Sequence, residues 1–232
     1  AVHPYVLLNY SGTLDSQFTL AHEMGHALHS FFTWKKQPYL YADHKIFVAE
    51  VASTCNEALL MEHLLKTTED KVMRKYLINY FLEQFRGTLF RQTMFAEFEK
   101  ISHSMAAKGM PLTPKSLSDK YYKLNKKYYG SAVTHDNLIR YEWARIPHFY
   151  NAFYVYQYAT GFSSAVAIAS KIFETGDAED YLKFLSTGGS DYPLEELKIA
   201  GVDLTKPDTV NNAMKVFADA LDEFEQLLKE IK

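Results

Sequence analysis

The chain has one cysteine in 232 residues, Cys55, so no disulfide can form within it. That fits a reducing compartment, and the expected location is cytoplasmic. No uninterrupted apolar run reaches the roughly 20 residues that a spanning helix needs, and no charged leader precedes an apolar stretch. A membrane is therefore not an expected partner. An excess of charge is missing too. With 25 Lys and Arg against 28 Asp and Glu, the formal net charge of −3 builds no strong field for nucleic acid or anionic lipid. Repeats and low-complexity tracts are absent. What remains is ordinary globular material, 47% hydrophobic and 23% charged, enough for one large core.

The pattern along the chain is almost all helical, and a single domain over residues 1–232 is expected. Ser11-Gly12-Thr13 is turn material. Asp15 or Ser16 can cap a helix running to about residue 32, which Lys35-Lys36-Gln37-Pro38 ends. In a second helix, about 46–65, Phe47, Val48, Val51, Cys55 and Leu59 recur at helical spacing. A third covers about 69–107, with a break near Gly87. Thr113 as cap and Pro114 in the first turn start another, reaching about residue 129. Residues 135–146 carry no clear signal. An aromatic helix is expected over 150–174, strained at Thr160-Gly161, then short helices at 179–185 and 193–200 and an amphipathic one at 208–231. The exception is Tyr5-Val6-Leu7-Leu8-Asn9, which reads as an edge strand. A strand needs a neighbour for its backbone groups, and few other strands are legible. The chain also opens on Ala1 rather than Met. The expectation is a fragment of a longer protein.

His22-Glu23-Met24-Gly25-His26 is an H-E-x-x-H pattern inside the first helix. Residues four apart lie about 40° apart around a helix and about 6 Å apart along it, so both imidazoles can reach one ion with Zn–N bonds of about 2 Å. Glu23 sits beside that face, placed to take a proton from water without ligating the metal. By composition such a pattern arises by chance in a chain this long about one time in a hundred or less. The alternative is two solvated histidines on an ordinary helix. A catalytic zinc usually takes three protein ligands. His29 lies about 10.5 Å along the axis from His22, too far for one ion, and is better read as a packed or supporting histidine. The pattern with a third His six positions after the second is excluded, because Phe32 stands there. Glu50 on the second helix is the better third ligand. It shares a face with Ser53 and Glu57, and a carboxylate among apolar neighbours is costly unless paired or metal-bound. Either Glu50 ligates, with Glu57 or Ser53 in support, or both glutamates are solvated.

These blocks resemble a known family. H-E-M-G-H-A-L-H-S from His22, Q-P-Y-L-Y at 37–41 and I-F-V-A-E-V-A-S-T-C-N-E-A-L-L at 46–60 closely resemble the oligoendopeptidase F group of thimet oligopeptidase-like zinc metallopeptidases. The likeness continues through Arg145-Ile146-Pro147-His148-Phe149-Tyr150 and Tyr154 to Gly161. It implies a mainly α, multi-helix zincin-like catalytic domain, one Zn²⁺ held by His22, His26 and Glu50, and Glu23 as base. It also implies cleavage of short peptide substrates in a channel, with a missing N-terminal lobe as its other wall. In such enzymes a His and tyrosines stabilise the charge that develops on the carbonyl oxygen, which points here to His148, Tyr154 and Tyr158 as catalytic residues. The spacing from His148 to the tyrosines departs from the thimet pattern, and an aromatic helix is ordinarily core. Tyr5–Asn9 would grip substrate backbone or serve only its own sheet. The implied activity is endopeptidase. The alternatives are a dipeptidyl carboxypeptidase-like exopeptidase on the same scaffold and an inactive zinc-stabilised peptide-binding fragment.

Overall fold

In a computed structural model of the chain, residues 2–231 are described. They form α1 (Leu14–Lys36), α2 (Ile46–Thr67), α3 (Lys71–Gln84), α4 (Arg91–Ala107), α5 (Pro114–Tyr129), α6 (Tyr156–Thr175), α7 (Glu179–Phe184), α8 (Pro193–Ile199) and α9 (Asp208–Glu230). The expectation of a mainly α fold holds. The expected edge strand does not: among the described residues there is no strand, and residues 2–11 carry no regular structure. The physical reason is the one that made it an orphan, since no described segment offers the ladder partners its N–H and C=O groups require. Among the described residues no helix is long and apolar enough to cross a membrane.

Packing divides the chain into two compact units, residues 1–84 with 160–232, and residues 85–159. In the first, α1 and α2 lie side by side, and their caps follow from local chemistry. Thr13, rather than Asp15 or Ser16, caps α1 by accepting the Ser16 backbone N–H at 3.2 Å. Asp15 in the first turn and Lys35 and Lys36 in the last complement the helix dipole. Val48, Val51, Ala52 and Cys55 of α2 meet Ala165, Ile168 and Ala169 of α6, Phe184 of α7 and Leu197 of α8 in one buried cluster. Each large side chain there contributes roughly 1.5–3 kcal/mol of transfer free energy. Burial pushes the Cys55 thiol up to about 12, so it is a core residue rather than a nucleophile. α9 packs on α3, with Lys71 Nζ 2.8 Å from Glu230 and Arg74 paired to Glu223.

The second unit is built on α4 and α5 with 3₁₀ segments at Asn137–Arg145 and Pro147–Tyr150. Phe95 and Phe98 of α4, Tyr121 and Leu124 of α5, Ile146 and Val155 form its core. Buried Glu142 is compensated by Arg91, Arg145 and the Tyr121 hydroxyl. The break expected near Gly87 is a π-helical stretch, Phe85–Phe90. The long aromatic helix expected over 150–174 begins only at Tyr156, because Phe153 is turned into the left-handed region at φ 59°.

Candidate metal centre

The site is made by a close crossing of α1 and α2. Gly25 lies at the crossing: a Cβ there would stand 2.5 Å from Ser53 Cα and 2.7 Å from Ala52 O. Asn56 Nδ2 ties the helices further by donating to Ala21 O at 3.0 Å. The crossing lays the face of α2 that carries Glu50 and Glu57 against the face of α1 that carries His22 and His26. Glu50 Oε2 is 3.5 Å from His22 Nε2 and 3.9 Å from His26 Nε2, and one donor atom from each residue lies within 4.8 Å of the others. The two imidazoles stand edge to face, at 85° and 4.8 Å between centroids. Donors around a tetrahedral zinc sit about 3.3 Å apart, so little adjustment would bring the three onto one ion.

Beyond the three donors, Glu57 Oε1 lies 2.7 Å from His22 Nδ1, and Gln84 Nε2 donates to Glu57 Oε2 at 3.0 Å. This carboxylate–imidazole pair directs His22 Nε2 inward and fixes its tautomer. Ser53 Oγ donates to the Glu50 backbone carbonyl at 3.1 Å and reaches Glu50 Oε2 at 3.4 Å. Burial alone would lower the basicity of His22. The hydrogen bond and charge of Glu57, aided by Glu50 and Glu23, outweigh it and raise the pKa. At His26 burial prevails over the attraction of Glu50 and the pKa is lowered. Three carboxylates thus favour a positive charge beside His22, which a proton or a divalent cation can supply, while His26 stays neutral as a ligand must. The donor set fits zinc.

Glu23, on the same helix, is half-buried and acts electrostatically on both imidazoles. His29 is outside the donor cluster. It is fully buried, stacked on His44 at 3.9 Å and 10°, against Phe184, and burial pushes its pKa down to about 3. His148, Tyr154 and Tyr158 belong to the second unit, where they form an aromatic trio of their own. Ring centroids are 5.8 Å apart for His148 and Tyr154, 5.9 Å for His148 and Tyr158, and 5.6 Å for the two tyrosines. Tyr158 Oη is 3.4 Å from His148 Nε2. Tyr154 precedes α6 rather than lying on it, yet the rings meet as one turn of helix would have arranged.

A model of the family described as Peptidase family M3 matches residues 1–216. The chain belongs to peptidase family M3. It is 53% identical over 232 residues to "Oligopeptidase PepF" of Bacillus subtilis (strain 168), covering 99% of this chain and 35% of that protein. It is 49% identical over 228 residues to "Oligoendopeptidase F, chromosomal" of Lactococcus lactis subsp. cremoris, covering 97% and 38%. Among solved structures, oligoendopeptidase-F from Enterococcus faecium matches with a TM-score of 0.84 at 50% identity, over 94% of this chain and 40% of the other. The chain thus spans little more than a third of the length of these M3 relatives.

Proposed function

We propose that this chain is the catalytic part of a zinc-dependent peptidase that cleaves short peptides at internal bonds. The observation that carries the reading is the convergence of His22 Nε2, His26 Nε2 and Glu50 Oε2 from two crossing helices. His22, His26 and Glu50 would hold one zinc. When bound, zinc supplies a Lewis acid that makes water a nucleophile near neutral pH and polarises a peptide carbonyl. Glu23 takes a proton from the attacking water and delivers it to the departing amine nitrogen as the C–N bond breaks. The family resemblance supports His148, Tyr154 and Tyr158 as the groups that would donate N–H and O–H to a carbonyl oxygen as it gains charge. Internal cleavage is supported by the oligoendopeptidase names of the relatives. A cytoplasmic location is consistent with a chain that carries a single cysteine.

Glu23→Gln is expected to keep its zinc and lose about 10²–10⁴-fold in turnover. Wild-type activity in that variant would remove Glu23 from the mechanism. Metal analysis of Glu50→Ala tests the ligand set: full zinc occupancy would displace Glu50. Peptides blocked at both ends separate the chemistries, since an exopeptidase releasing dipeptides leaves them intact. The share of the relatives' length that the chain spans favours a second reading, a zinc-stabilised part that binds peptides without cutting them. It predicts bound zinc and no hydrolysis of any short peptide.

A further inference from the structure

Phe153 is the single described non-glycine residue with a positive φ, 59°. It is the third residue of a turn closed by the Tyr154 N–H donating to Asn151 O at 3.2 Å. Glycine is the residue suited to that place, because a Cβ and a bulky ring make the left-handed region unfavourable. Such strain persists only where surrounding groups over-determine it. Here they come from one face of α4. Glu99, buried to 4% exposure, accepts the Phe153 backbone N–H on its Oε1, and His103, one helical turn further on, packs its ring 4.5 Å from the Phe153 ring. Phe153 as a residue is 52% exposed, so core packing is not what holds it there. The next residue is Tyr154, whose ring stacks on His148 at 26°.

We propose that Glu99 is a positioning residue: its carboxylate holds Phe153 in the left-handed turn and thereby sets Tyr154 against His148. An extended Phe153 would reverse the direction in which the chain leaves the turn, and the Tyr154 ring would swing off the imidazole. The buried side-chain oxygen is matched to this task, since a backbone N–H left without an acceptor there would go unsatisfied. The catalytic consequence rests on the reading of Tyr154 as a donor to the substrate carbonyl. The geometric claim does not.

The test uses the whole 232-residue chain. Wild type is compared with Glu99→Gln, Glu99→Ala and Glu99→Ala combined with Phe153→Gly. In Glu99→Ala the Phe153 amide is expected to exchange with deuterium about 10- to 100-fold faster, and the His148 Cε1–H resonance to lose the ring-current shift that Tyr154 imposes. Glu99→Gln keeps a carbonyl oxygen to accept the amide, and it should retain both signals. Phe153→Gly removes the backbone strain and should restore the His148 shift in the Glu99→Ala background. An unchanged Phe153 amide and His148 shift in Glu99→Ala overturns the proposal. So does a loss of structure across α4 and α5 that Phe153→Gly fails to repair, because that is a fold defect rather than a positioning role. Tyr154→Phe kinetics are read separately. Unaltered turnover in that variant removes Tyr154 from catalysis and leaves the Glu99–Phe153 contact standing.

Discussion

The trio proposed to hold zinc leans on neighbours outside it. Glu57 is the clearest case, bonded to His22 on one oxygen and to Gln84 on the other. Glu57→Ala leaves His22 Nδ1 without its acceptor and frees the ring to rotate. Zinc affinity is expected to fall 10- to 100-fold, read by competition with a chromophoric chelator. An unchanged dissociation constant would mean that α1 alone orients the ring. A second residue-scale prediction concerns Glu196 on α8, 1% exposed, whose carboxyl is pushed up to about 7 by burial. Its folded-state pKa lies above the ordinary carboxylate value, so the folded chain holds the proton more tightly between pH ~4.5 and ~7. Stability from this group is full below that window and is lost as pH rises through it, by about 3 kcal/mol. Glu196→Gln mimics the protonated form. It should melt higher than wild type at pH 8 and equally near pH 4. A wild-type melting curve with no extra loss between these values would contradict the assignment.

At the scale of elements, two glycines in helices make opposite predictions. Gly25→Ala drives a methyl group into the α2 backbone at 2.5 Å from Ser53 Cα, and neither partner is a flexible side chain. The helices must separate, and overpacking of this kind costs about 1–3 kcal/mol. Zinc binding should weaken with it, because Glu50 retreats from both imidazoles. Gly161→Ala on α6 meets only Glu50 Cβ and Val51 Cγ2 at 3.9 Å, ordinary contact, so the helix should gain up to about 1 kcal/mol. Melting curves and zinc titrations of the pair check both; equal behaviour would show that the crossing is not set by Gly25. The same contrast explains what was legible beforehand. The pattern His22-Glu23-x-x-His26 is local, and helical spacing alone puts both rings on one side. The periodicity of α2 offers Glu50 as third donor, with Glu57 or Ser53 in support, and leaves open that both glutamates are solvated; only the family resemblance favours Glu50. The bond from Gln84 to Glu57 joins positions 27 apart in sequence, and no periodicity reports it. Thr160-Gly161 reads as a weak point and is unbroken helix. The actual interruption, at Phe153, carries no glycine or proline to mark it, since its cause lies on α4. The strand expected at residues 5–9 fails for a related reason: β character is decided by a partner, and local alternation cannot supply one.

For the molecule as a whole, the division into two units locates the effect of metal. His22, His26, Glu50, Glu57 and Gln84 all lie in residues 1–84, so a zinc held as proposed would tie α1 to α2 within the first unit. A ligand that binds the folded state alone stabilises it by RT ln(1 + [L]/Kd), about 2.7 kcal/mol at a hundredfold excess over Kd. That stabilisation is expected in the hydrogen exchange of α1 and α2, with smaller gains along α6, which shares their core. The amides of α4 and α5 belong to a separate core and should keep their metal-free rates. Exchange measured with zinc and after chelation reads each segment directly. A gain spread evenly over both units would show that they open together, and the metal would then be a clamp on the entire chain rather than on one helix crossing.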